Sequence, residues 1–161
     1  GPFDTFDAGG GTGLMGAAIK PYATRLDGAD LSPKMIEAAR ARGLYDGLTA
    51  GDGIGLLVAA PARYDLVAAA DVLVYIGDLA PIFGAVRTAL RLDGGFAFTV
   101  ENSDEQEWRL NESGRYAHSA AYLRRLAAAH GFDVVALDEA STREDRGAPV
   151  PGLVCVMRKT P

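Results

Sequence analysis

The residues with the clearest chemical promise lie near the amino terminus, in Phe6-Asp7-Ala8-Gly9-Gly10-Gly11-Thr12-Gly13, followed by an acid at Asp30 within Gly28-Ala29-Asp30-Leu31-Ser32. An apolar approach that ends in glycines and leads into a helix lets a ligand lie almost against the backbone, because glycine has no Cβ and tolerates positive φ. A carboxylate about twenty residues further on stands where the second strand of such a unit offers its oxygens to a ribose. Two readings share this spacing. Gly11-Thr12-Gly13-Leu14-Met15-Gly16 fits the dinucleotide pattern G-x-G-x-x-G, whereas Asp7 followed by Gly9, Gly11 and Gly13 is an acid ahead of alternating glycines. The pattern alone does not choose between them.

The elements that must hold these residues alternate between strand and helix, the signature of a mostly parallel sheet with helices on both faces. A strand over Thr5–Ala8 leads into a helix from about Gly13 to Lys20, which Pro21 ends. A second strand over Arg25–Ala29 is followed by Ser32-Pro33, a side-chain cap with proline in the first turn. A short connection around Leu48–Gly51 reaches Asp52, and Tyr64–Ala70 is the most apolar strand candidate. Asp78 can cap a helix that Asp93-Gly94-Gly95 closes, ahead of a strand over Phe96–Val100. Residues 102–118 are polar, Ser119 caps a helix running to Gly131, and Phe132–Leu137 and Leu153–Met157 read as antiparallel neighbours because no helix separates them.

Length and composition bound the function classes. A chain of 161 residues suits one domain over 1–161, with a proper core. A net charge of −5 gives no basic face for nucleic-acid phosphates, so no nucleic-acid partner is expected. No run reaches the length of a membrane span and no signal peptide is visible. Cys155 is the sole cysteine, which rules out internal disulfides and paired-cysteine metal sites. Together these features suggest a cytoplasmic protein.

The runs Asp7–Gly13, Gly28-Ala29-Asp30-Leu31-Ser32-Pro33-Lys34-Met35, Ala50-Gly51-Asp52 and Tyr64-Asp65-Leu66-Val67-Ala68-Ala69-Ala70-Asp71 resemble, in order, the successive motifs of class I S-adenosylmethionine-dependent methyltransferases. Within that superfamily, residues 70–78 and 114–119 are similar to methyltransferase domains attached to tetratricopeptide repeats. The resemblance implies a Rossmann-like three-layer α/β sandwich whose mostly parallel seven-stranded sheet ends in an antiparallel C-terminal hairpin. It also implies helices ahead of the first motif. Here Asp7 arrives almost at once, so the expectation is a chain lacking those cap helices, with Gly1-Pro2 as an expression remnant.

The cofactor implied by the resemblance is S-adenosylmethionine, with S-adenosylhomocysteine as product. Gly9, Gly10, Gly11 and Gly13 would admit its methionine and ribose portion, Gly10 standing where a cysteine or serine is usual. Asp7 would orient the ammonium end, and Asp30 would accept both ribose hydroxyls. Asp52 would accept from the adenine amino group between Gly51 and Gly53. Leu31 and Met35 would pack on the adenosine, and the Ala70 carbonyl would face the cofactor. Methyl transfer is an in-line displacement that needs positioning and, for some acceptors, a base; it needs no metal. Asp71, Tyr75 and His118 are the catalytic candidates, His118 for its titration near neutrality. Arg115 could hold an acceptor carboxylate or phosphate, and Trp108, Tyr116 and Tyr122 could line an acceptor pocket. The methyl acceptor, expected to be a small molecule, is not readable. A nicotinamide-dependent oxidoreductase would explain G-x-G-x-x-G but not Asp7 or the hairpin, and a catalytically silent cofactor-binding module would keep the glycines without a competent pocket.

Overall fold

In a computed structural model the chain is described over residues 3–11, 13–105 and 107–161; Gly1-Pro2, read above as a remnant, and Thr12 of the loop motif lie outside the described residues. Nine strands among them form one sheet. Parallel strands β1 (Phe3–Ala8), β2 (Ala23–Asp30), β3 (Gly47–Ala50), β4 (Tyr64–Ala69) and the first part of β5 (Leu90–Asn102) stand in the order β3-β2-β1-β4-β5. Helices α1 (Leu14–Ile19), α2 (Pro33–Ala41), α3 (Gly53–Val58) and α4 (Ala80–Ala89) link them. After α5 (Ala120–His130), the strands β8 (Phe132–Asp145) and β9 (Ala148–Lys159) form the expected hairpin, with β9 antiparallel to β5. The seven long strands match the expected sheet.

Local chemistry explains most boundaries. Ser32 accepts a hydrogen bond from Met35 N at 3.4 Å and Ser119 from Tyr122 N at 3.1 Å, satisfying first-turn donors of α2 and α5. Gly131 ends α5 in the left-handed conformation. The run of apolar residues in β4 reflects a central parallel strand covered on both faces. Fully buried Phe83 of α4 meets Phe96, Phe98 and Phe132 edge-on, with centroids 5.5, 5.8 and 5.9 Å away. Truncating such a ring costs about 3–5 kcal/mol.

Several elements differ from the sequence reading. Helix α4 stops at Ala89, because Leu90 already pairs with Tyr64 at the start of β5. Asp78 precedes the helix by one residue more than expected, its Oδ1 accepting from Ala80 N at 3.0 Å. Helix α3 was hidden by Gly53 and Gly55, poor helix formers, although Asp52 caps it through Ile54 N at 3.0 Å. The polar segment contains two more strands, β6 (Trp108–Leu110) and β7 (Tyr116–His118), paired antiparallel. Glu101 pairs with Gly152 of β9 on one edge and with Ala117 of β7 on the other. Strand β7 therefore occupies the edge that β4 leaves free beyond Ala69, directly above the carboxyl ends of the strands.

Candidate functional site

The carboxyl ends of β1 to β4 open onto a cavity of about 780 Å³, a size ordinary for small-molecule and cofactor sites. The glycine loop forms its floor. Gly13 takes φ +93° as the N-cap of α1, a conformation that disfavours any side chain. Gly10 N donates to Ala29 O at 2.9 Å, tying the loop to β2. Asp30 holds the loop from the other side: its Oδ2 accepts from Gly11 N at 3.1 Å and its Oδ1 from Ser32 N at 2.9 Å. Each carboxylate oxygen retains acceptor capacity for a ligand.

Of the residues singled out from sequence, Gly9, Gly10, Gly11, Asp30, Leu31, Met35, Gly51, Asp52, Gly53, Ala70, Asp71 and Tyr75 all line this cavity. Leu14, Met15, Ile54, Val72, Ile76 and Ile82 complete an apolar lining that the motifs did not single out. Carboxylates beside exposed apolar plates, Leu31 and Met35 among them, suit a ligand with a diol and a flat ring. Asp7, Gly13 and His118 lie off the cavity wall, as do Trp108, Arg115, Tyr116 and Tyr122.

Asp7 is 1% exposed beneath the loop, and its Oδ2 accepts a 2.5 Å hydrogen bond from the hydroxyl of Tyr45. Burial pushes its carboxyl up to about 6, partly offset by that hydrogen bond, with the nearby Asp30 charge adding to the rise. Tyr45 was missed from the sequence. The glycines at Gly16 and Gly28 were the available signal, because a Cβ at either would collide with its ring.

The opposite wall is held by side chains. Asp71 leaves β4 with φ +56°, its N–H donating to Thr99 Oγ1 at 3.0 Å. Arg115 pairs with Asp71, donates from Nε to buried Glu101 at 2.5 Å, and lies over the Tyr75 ring, 5.4 Å from its centroid. A donor of Arg115 also reaches the Tyr75 hydroxyl at 3.2 Å. Arg115 is thus engaged by the protein's own carboxylates, which corrects its reading as an anion-holding residue. Trp108, Tyr116 and Tyr122 likewise do not line the cavity; Trp108 packs on Tyr122, centroids 5.2 Å apart.

His118 also departs from its expected place. It is fully buried, with Nε2 2.9 Å from Ile76 O and 3.0 Å from Gly77 O. Two carbonyl acceptors fix the proton on Nε2, and burial pulls the imidazole below its ordinary value. The ring braces the 73–77 segment from behind instead of facing the cavity as a base, because β7 carries it under that segment. Among the described residues no cluster of three or more His, Cys, Asp or Glu could hold a metal ion. No helix among them is long and apolar enough to cross a membrane.

Comparison with known proteins agrees with this geometry. The methyltransferase domain family model matches residues 6–96. No curated protein matches the sequence. Among solved structures, an S-adenosylmethionine-dependent methyltransferase from Mesorhizobium loti is 21% identical with TM-score 0.77, the match covering 99% of this chain and 92% of that one. The 1,6-didemethyltoxoflavin-N1-methyltransferase of Burkholderia thailandensis, with 1,6-didemethyltoxoflavin and S-adenosylhomocysteine bound, is 25% identical with TM-score 0.77 over 99% and 72% of the two chains. A methyltransferase from Methanosarcina mazei gives TM-score 0.81 at 15% identity, covering 99% and 93%. Half the chain and more lies within the family match, and with the Rossmann-like sheet, its closing hairpin and the cavity over β1 to β4 it follows that the chain belongs to the methyltransferase domain family as a class I S-adenosylmethionine-dependent methyltransferase.

Proposed function

We propose that the cavity binds S-adenosylmethionine along Gly9–Gly11, Asp30 and the Gly51-Asp52-Gly53 turn, and presents its methyl group toward Asp71 and Tyr75. The observation that carries this reading is the convergence of the four strand ends, with all of these residues, on one cavity. Asp30 accepts the ribose hydroxyls while keeping the loop in place through Gly11 N. Asp52 receives the adenine amino group, Leu31 and Met35 cover the ring, and the Ala70 carbonyl faces the cofactor. Asp7 acts from beneath the loop on the ammonium end. When bound, the cofactor supplies an electrophilic methyl on a sulfonium. Asp71 and Tyr75 then orient the acceptor, the Asp71 carboxylate receiving its proton where one must leave, while His118 braces the wall that carries them.

The acceptor is a small molecule. The concave site, its apolar lining of Val72, Tyr75, Ile76 and Ile82, and the acidic net charge support this reading, as does the 1,6-didemethyltoxoflavin bound by the similar Burkholderia structure. A cytoplasmic location fits the single cysteine, which is buried and whose thiol burial pushes up to about 12. The likeness of residues 70–78 and 114–119 to repeat-associated domains supports a tetratricopeptide-repeat region in a longer parent chain, and sequencing that parent gene checks it.

Calorimetric titration with S-adenosylmethionine, S-adenosylhomocysteine and nicotinamide dinucleotides tests the cofactor assignment. Adenosyl ligands are expected to bind; tighter binding of a nicotinamide cofactor would overturn the assignment. A methyl-transfer screen across acceptor classes then separates an active enzyme from a silent binding module.

A further inference from the structure

Asp7 and Tyr45 form a unit that the assignments above leave unexplained. Tyr45 lies in the connection between α2 and β3, and its ring occupies the space left by several glycines at once. A Cβ at Gly28 would lie 2.7 Å from its ring and one at Gly10 3.2 Å from its hydroxyl; a Cβ at Gly16 would clash with hydroxyl and ring together. By contrast, a Cβ at Gly11 would meet nothing nearer than 4.0 Å. The third glycine of G-x-G-x-x-G therefore makes room for a tyrosine, and only part of the glycine pattern serves the cavity. At the end of this packing the Tyr45 hydroxyl donates to Asp7, whose carboxylate lies against Gly10.

We propose that Tyr45 is a positioning residue for cofactor binding: its hydroxyl holds the Asp7 carboxylate beneath the glycine loop, and its ring sets the height of that loop above α1 and β2. This rests on the reading that the cavity takes the adenosyl cofactor. Tyr45 does not line the cavity, so it acts through Asp7 and the loop. Among the described residues, the groups facing Asp7 are the Tyr45 hydroxyl from the α2–β3 connection and the Asp30 carboxylate from β2. Tyr45 in turn faces Arg42 at the end of α2 and is hydrogen-bonded by the Gly16 backbone of α1. Burial and the bond to Asp7 both push its phenol above the ordinary range, so it stays a donor wherever the protein is folded.

The test is calorimetric titration with S-adenosylhomocysteine from about pH 5 to about pH 8 on the wild type, Tyr45→Phe and Gly16→Ala. Wild-type affinity is expected to fall as the pH drops through about 6, where Asp7 takes up a proton. Tyr45→Phe keeps the ring but removes a charge-assisted hydrogen bond, so binding should weaken about tenfold at neutral pH and its decline should begin at higher pH. Gly16→Ala keeps the hydroxyl but displaces it, and should move the decline in the same direction. If the wild type binds and both variants keep its pH midpoint, or lose affinity equally at every pH as a mere space-filler would, the proposal is overturned. A ¹³C titration of the Asp7 carboxyl in the ligand-free wild type and in Tyr45→Phe reads the hydrogen bond without any ligand: a higher midpoint in the variant supports the proposal, and an unchanged one overturns it. A wild type that binds no adenosyl ligand at any pH instead sinks the cofactor reading on which the proposal rests.

Discussion

On one side of the cavity, the chain from Ala8 to Ile54 lines the space with backbone groups and carboxylates whose supports are near in sequence: Asp30 is tied to Gly11 and to Ser32, 19 and 2 residues away. On the other side, Asp71, Tyr75 and Ile76 are held by Arg115 and His118, which stand 44, 40 and 42 residues further along the chain. The first wall is therefore assembled by local turns and the second by the return of β7 over β4. A local wall carries its pattern in a single stretch of sequence. A wall built from distant partners can change its acceptor while the pattern beside the cofactor stays intact.

The contrast can be broken most forcefully at Arg115. Its removal leaves Glu101, almost fully buried, paired among the described residues with Arg143 alone at 3.4 Å, and breaking one partner from a buried ion pair costs about 3 kcal/mol. Arg115→Ala should lower the thermal midpoint by several degrees while S-adenosylhomocysteine affinity, measured by calorimetry below that midpoint, stays within about twofold. A large loss of affinity would show that the walls are not separable. The reverse experiment is Asp30→Ala, expected to weaken the same ligand about a hundredfold, because the carboxylate proposed to hold the ribose also ties the loop through Gly11 N. Unchanged affinity would refute the ribose assignment.

Smaller effects sharpen the contrast through pH. Asp7, raised from 3.8 to about 6, is protonated in the folded state before the unfolded one, so its contribution to stability is full below about 4 and is lost as the pH rises through about 6. Asp7→Asn should stabilise the ligand-free protein at neutral pH by about 1–2 kcal/mol, seen as a higher melting temperature, while weakening cofactor binding. His118 behaves oppositely. Burial holds it below 6.5, so its contribution is full above that value and is lost on acidification. His118→Gln should flatten the acid-side decline of the melting temperature by the smallest amount of the set. A decline of unaltered slope would show that the ring titrates freely.

The same contrast explains what could be read from sequence. Alternating strands and helices, the Ser32 and Ser119 caps, the Gly131 stop and the final hairpin are local signals, and the structure has them all. The cavity residues from Gly9 to Gly53 came with them. His118 and Arg115 were placed on the cavity because their chemistry suited it, yet only the pairing of β7 with β5 decides where they lie. Tyr45 was hidden for a related reason: its role depends on Gly16, Gly28 and Asp7, which the fold brings together from three elements.

The two walls meet at one small seam. A Cβ at Gly9 would come within 2.5 Å of Val72, so the first glycine of the loop is shaped as much by the far wall as by its own turn. For directed evolution this divides the work. A library varying Tyr75, Ile76 and Ile82 while holding Gly9 and Val72 constant reshapes the far wall and leaves the loop alone, whereas enlarging residue 72 pushes on the loop as well.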